Sequence, residues 1–214
     1  KHEFVRDRSS VRKFCEKNLM TLMRSTFPVE RKKPDNRYRR WEAESYGEIY
    51  QHDSTPRHIW GADGANQSII LSLDDATRQI TAHRVCEREN LLEHYAMLEP
   101  SFLRYGMPEA FYTDGFTLFG HEGEDLCTQF GRMCRAFGIN HMIAPTPQAK
   151  GKIERAMRTF QHRIVVTLKA AGVDNEARAN VLAGEHIASW NRTHTNEETG
   201  EIPDVRAQRL VAEG

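Results

Sequence analysis

The sequence has no apolar run approaching the roughly 18–20 residues that a membrane-spanning helix needs. It opens on a polar stretch, KHEFVRDRSS, rather than a secretory signal, so a cytoplasmic location is expected. Its four cysteines (Cys15, Cys86, Cys127 and Cys134) form no C-x-x-C pair. That argues against a zinc ribbon, offers no disulfide framework, and leaves buried free thiols of a reducing compartment. No internal repeat is visible. Net charge is also missing, because 30 Lys+Arg balance 30 Asp+Glu.

The zero hides a split. Residues 1–40 hold 13 basic against 5 acidic side chains, whereas residues 41–214 hold 17 against 25. A basic arm suits a phosphate backbone, and an acidic body suits cations. With 214 residues, 39 % hydrophobic and 28 % charged, the chain has room for one globular domain and an appendage. The domain boundary is placed near Trp41. A basic N-terminal helix and linker occupy 1–40, and the body occupies 41–214.

Periodicity supplies the elements. Val11, Phe14, Cys15, Leu19, Leu22 and Met23 recur at helical steps within 3–26. In the body, 47–55, 67–73 and 79–86 read as strands joined by short links, hence an antiparallel meander, with a turn near Pro56. A helix follows over 89–104, kinked or divided at Pro100. Then come a short strand at 110–114, a Gly-rich acidic loop at 115–125, a helix at 126–137 and a strand at 139–144. A loop at 145–151 opens a long helix, 152–171, and a last helix covers roughly 175–190, followed by a tail. Alternating strand and helix in the second half requires parallel neighbours. The expected fold class is therefore α/β: a five-stranded mixed sheet, three antiparallel strands plus two parallel ones, flanked by helices.

Three carboxylates stand out. Asp53 sits inside the first strand, where β-branched or aromatic residues fit better. Burying a carboxylate there is costly unless a cation, a hydrogen-bond network or protonation compensates it. Asp114 ends the fourth strand, and Glu154 lies one turn into the long helix. Taken singly, Asp114 reads as a turn residue and Glu154 as a helix-dipole partner. Taken together, they can converge if strands one and four are neighbours. Three carboxylates repel unless divalent metal neutralises them, and oxygen-only ligation selects Mg²⁺ or Mn²⁺ over Zn²⁺.

These residues carry a resemblance. GEIYQHD (47–53), SLDDATR (72–78), FYTDG (111–115), FGINHMIAPTPQAKGKIERAMRTF (137–160) and WNRTH (190–194) followed by Pro203 are similar, in order, to segments of retroviral integrase and insertion-sequence transposase catalytic cores. The match spans about Tyr46 to Pro203. It departs in two places: Gly115 directly follows Asp114, and the 40 positions from Asp114 to Glu154 exceed the common spacing.

The resemblance implies an RNase H-like fold and a DDE-type polynucleotidyl transferase. Asp53, Asp114 and Glu154 would be the catalytic triad holding two Mg²⁺ or Mn²⁺ ions. The partners implied are DNA, as element ends and as target, and further copies of the chain, at least a dimer. The location implied is a bacterial cytoplasm, on the nucleoid. A nuclease of the same fold that cleaves without joining, and a DNA-binding or assembly protein without catalysis, are the alternatives.

The long helix adds detail. Ile153, Met157, Phe160, Ile164 and Leu168 form an apolar stripe for packing on the sheet. Six basic residues stand against one acid between 150 and 169, which reads as a metal ligand beside a phosphate track. Gln148, Lys150, Lys152, Arg155 and Arg158 are the expected DNA contacts. Asp74 and Asp75 read as turn residues. Alternation sends His52 to the face opposite Asp53. Trp41, Trp60 and Trp190 are expected to pack. The helix at 3–26 suits either the end of a helix-turn-helix or a subunit contact.

Overall fold

The computed structural model describes residues 43–62, 65–114, 128–144 and 151–213. The basic segment 1–40, Trp41 and the loops around 115–127 and 145–150 lie outside the described residues. Five strands, β1 (Ile49–Arg57), β2 (Gln67–Asp74), β3 (Ile80–Cys86), β4 (Ala110–Thr113) and β5 (Asn140–Ile143), form one sheet in the order β3-β2-β1-β4-β5. β1, β2 and β3 pair antiparallel, whereas β1–β4 and β4–β5 pair parallel. This is the mixed sheet expected from the sequence. Its helices are α1 (Leu91–Tyr105), α2 (Gln129–Ala136), α3 (Gly151–Ala170), α4 (Glu176–Thr193) and α5 (Pro203–Glu213).

Strand alternation divides the apolar residues between the two faces. Tyr50, Ile70, Ala82, Cys86 and Phe111 pack under α1 and α2 with Leu98, Phe130 and Met133. On the other face, Ile69, Leu71, Leu73, Ile80 and Val85 meet Ile153, Phe160, Ile164 and Leu168 of α3 and Ala179, Ala183 and Ile187 of α4. Ile153, Phe160, Ile164 and Leu168 are fully buried, so these four residues of the predicted stripe pack as expected, and the Met157 side chain lies outside the described residues. Trp190 is buried in this cluster and Trp60 packs against it, which settles both as packing residues.

Local chemistry fixes most helix ends. Asn90 caps α1 by accepting from Leu92 N and Glu93 N, Thr128 caps α2 through Gly131 N, and Asn175 caps α4 through Arg178 N. α4 lies close on the edge strand β3: a Cβ added at Gly184 would stand 3.3 Å from His83 Cε1. Two asparagines of α4 complete the outer edge of β3. Asn191 accepts from Ile80 N (3.0 Å) and donates to Ile80 O (2.9 Å), and Asn180 does the same for Val85 (2.9 and 2.7 Å). Covering backbone groups at both ends of this edge strand blunts it against pairing with another chain.

The structure corrects three expectations. The chain does not turn near Pro56, because β1 runs on to Arg57. The parallel ladder to β4 ends at Gln51, so Pro56 lies where β1 pairs with β2 alone and a missing N–H is tolerable. Pro100 does not divide its helix, and α1 continues unbroken with Pro100 exposed. Finally, the tail after Pro203 is a helix, α5. It begins at a proline, a favoured first helical residue, and buries Pro203 and Ala207.

Candidate active site

Asp53 lies in β1 and Asp114 immediately follows β4. Their parallel ladder pairs Ile49 with Ala110, Tyr50 with Phe111 and Gln51 with Tyr112. The same offset carried two residues further brings Asp53 level with Asp114. Both fall on the strand face that carries Gln51 and Tyr112, and both are half-buried. His52 lies on the opposite face, as alternation predicts. There its ring contacts Ser72 Oγ (2.6 Å) and His94 Nδ1 (2.7 Å) and stacks on Phe130.

Glu154 is exposed in the first turn of α3. That turn docks beside Asp53, because Ile153 N donates to Gln51 Oε1 (3.1 Å), two residues before Asp53 on the same strand face. Gln51 is 2 % exposed, and its Nε2 donates to Asp75 Oδ1 (2.5 Å). Asp75 Oδ2 in turn accepts from Ala43 N (2.8 Å). The Tyr112 hydroxyl, from the strand beside Gln51, is buried without a hydrogen-bond partner among the described residues. Burial, with Asp75 adding to it, pushes the Tyr112 phenol up.

Asp74 and Asp75 are turn residues, as expected, but fully buried ones. Asp74 accepts from Gly47 N and from the Thr77 backbone and hydroxyl. Burial pushes its carboxyl up, opposed by these bonds.

The basic candidates divide. Gln148 and Lys150, and the side chain of Lys152, lie outside the described residues. Arg155 is ion-paired with Glu198, after α4, so it also serves to hold α3 against that loop. Arg158 is exposed and shares a shallow groove with Arg57, Gln161 and His162. Arg57 Nη2 donates to the buried Gln161 Oε1 (2.5 Å). Arg163 instead lies over the Trp190 ring, 5.2 Å from its centre.

Gln51 and Arg57 were absent from the sequence-based site. The alternation of β1 could have flagged both, since each shares the strand face of Asp53. Among the described residues, no group of three or more His, Cys, Asp and Glu side chains is gathered closely enough to hold a metal ion. Carboxylate oxygens are the donors a hard divalent cation takes, and Asp53, Asp114 and Glu154 supply only such donors.

Comparison with known proteins agrees with this architecture. The chain is 31 % identical over 159 residues to the transposase-like y4bF protein of Sinorhizobium fredii, covering 72 % of this chain and 35 % of that protein. It is 30 % identical over 158 residues to the transposase for insertion sequence IS1202 of Streptococcus pneumoniae, covering 71 % and 34 %. The chain thus spans about a third of the length of these relatives. No family model matches.

Among solved structures, the HTLV-2 integrase catalytic core domain in complex with magnesium superposes with a TM-score of 0.58 at 14 % identity, covering 75 % of this chain and 96 % of that one. The BIV integrase catalytic core gives 0.55 at 18 % identity, covering 78 % and 98 %. The described residues have the fold of retroviral integrase catalytic cores, and over about seven tenths of its length the chain is similar in sequence to insertion-sequence transposases.

Proposed function

We propose that this core cuts DNA at the ends of a mobile element and joins the freed ends to a target, with Asp53, Asp114 and Glu154 as the catalytic carboxylates. The observation that supports the reading is the parallel β1–β4 register, which, continued two residues past Gln51 and Tyr112, would bring Asp53 level with Asp114, beside the first turn of α3 that Gln51 meets. The identity to two bacterial transposases supports the same activity. The HTLV-2 core was solved with magnesium, which supports a divalent cation here.

The three carboxylates would hold two Mg²⁺ or Mn²⁺ ions, which when bound activate water and stabilise the leaving 3′ oxygen. The chain's own residues do the rest. The sheet would hold two of the carboxylates, while Glu154 would ride on a helix whose positive N-terminal end suits a substrate phosphate. Arg158 follows Glu154 by one helical turn, and with Lys150, Lys152, Arg155 and Gln148 it would track the DNA backbone. The basic segment 1–40 would add affinity or subunit contacts. The HTLV-2 core is known in dimeric and trimeric forms, which favours assembly of more than one copy.

The test is a strand-transfer assay with oligonucleotides copied from the ends of the element that encodes the chain. Cleavage and joining that need Mg²⁺ or Mn²⁺, and that vanish in Asp53→Asn, Asp114→Asn and Glu154→Gln while DNA binding persists, are expected. Cleavage without joining would identify a nuclease instead. Full activity in any of the three variants would remove that residue from the catalytic set.

A further inference from the structure

By sequence, helix α3 starts among residues whose side chains offer no hydrogen-bond acceptor. The residue before it is Lys150, and neither Gly151 nor Lys152 can accept a hydrogen bond. A helix start leaves its first N–H groups unsatisfied, and Ser, Thr, Asp or Asn ordinarily serves them. Here the acceptor comes from the centre of the sheet, 102 residues away in sequence: Gln51 Oε1 accepts from Ile153 N at 3.1 Å.

The orientation of that amide is not free. Asp75 faces its other end, accepting from Gln51 Nε2 and, through its second oxygen, from Ala43 N. A carboxylate only accepts, so the NH₂ must point to Asp75 and the oxygen to the helix. All three links are buried.

We propose that Gln51, oriented by Asp75, is a positioning residue that seats the first turn of α3 and thereby sets Glu154 against Asp53. Gln51 is buried, and its side chain is bonded to Asp75 and to the first turn of α3. It acts through the helix it caps, and the inference rests on the assignment of Asp53 and Glu154 as metal ligands. Partners that orient ligands ordinarily account for about 10- to 100-fold in metal affinity or activity.

Gln51→Leu keeps the volume and removes both hydrogen bonds. The expected result is a Mg²⁺ half-saturation raised about 10-fold or more, with activity largely recovered at high Mg²⁺. Amide exchange in the first turn of α3 should be faster, with the rest of the core unchanged.

The reversed pair Gln51→Glu with Asp75→Asn keeps every link, because the new carboxylate accepts from Ile153 N and from the new amide, whose oxygen accepts from Ala43 N. Asp75→Asn alone forces one donor to face another. The double variant should therefore return to within about 3-fold of wild type, whereas Asp75→Asn alone does not. This comparison carries the test if Gln51→Leu does not fold.

Wild-type half-saturation and wild-type exchange in Gln51→Leu, or a double variant no better than Asp75→Asn, would overturn the proposal. Asp53→Asn run alongside separates the two ideas. Loss of activity there with an unaffected Gln51→Leu sinks only the positioning role. Retained activity there sinks the carboxylate assignment on which it rests.

Discussion

The sharpest stability prediction concerns Asn191, which lies in the WNRTH stretch. Its side chain is 2 % exposed and satisfies both backbone groups of Ile80, a residue itself 1 % exposed on the edge strand. Asn191→Ala leaves a donor and an acceptor buried without partners, each costing about 1–3 kcal/mol. The expected loss is therefore about 2–6 kcal/mol, or roughly 4–24 °C in Tm for a domain of this size. Asn191→Asp should be at least as harmful, since it sets a carboxylate against the Ile80 carbonyl. Asn180→Ala, at the half-buried site beside Val85, should cost only about 1 kcal/mol, because water can enter. Urea unfolding of the three variants, with amide exchange read at Ile80 and Val85, provides the measurement. Equal losses for Asn180→Ala and Asn191→Ala, or less than about 0.5 kcal/mol for Asn191→Ala, would refute the reasoning, since surface changes stay within that range.

Three further outcomes are expected. Phe160→Ala, at a fully buried position of α3, should cost about 3–5 kcal/mol in urea unfolding, and a cost under 1 kcal/mol would mean the α3 face is loosely packed. Burial pushes the His141 imidazole down to about 4, from an ordinary 6.5. The unfolded chain therefore takes up a proton that the folded one refuses, so stability is full above about 6.5 and falls as pH drops from there towards 4; His141→Gln should flatten that slope in pH-dependent unfolding, and an unchanged slope would count against it. Arg158→Ala should weaken DNA binding alike on every sequence and reduce the slope of affinity against salt by about one, and a sequence-dependent loss would assign Arg158 to base reading instead.

Much of the core was legible because its signals are local. The β-prone run at 67–73 and the three- and four-residue steps from Ile153 to Leu168 depend only on neighbours along the chain, and these elements formed as expected. The face of Asp53 and His52 followed from alternation alone, once β1 was recognised as a strand. The helix α5 could have been read from Pro203, Ala207 and Leu210, whose spacing puts them on one side. Residues 194–202 before it carry turn chemistry, so little besides Pro203 marks its start.

By itself the sequence determined the order and type of most elements, and the positions of three carboxylates at a strand, a strand end and a helix start. These are properties of side-chain pattern and spacing. Tertiary structure alone decided that Gln51 caps α3, that Asn191 completes β3 and that Arg155 is held by Glu198. Each of those links joins residues more than forty positions apart, and a buried amide or a charge has no period that could announce its partner. Only the stacking of β1 between β2 and β4, with α3 and α4 laid over them, brings those groups within bonding distance.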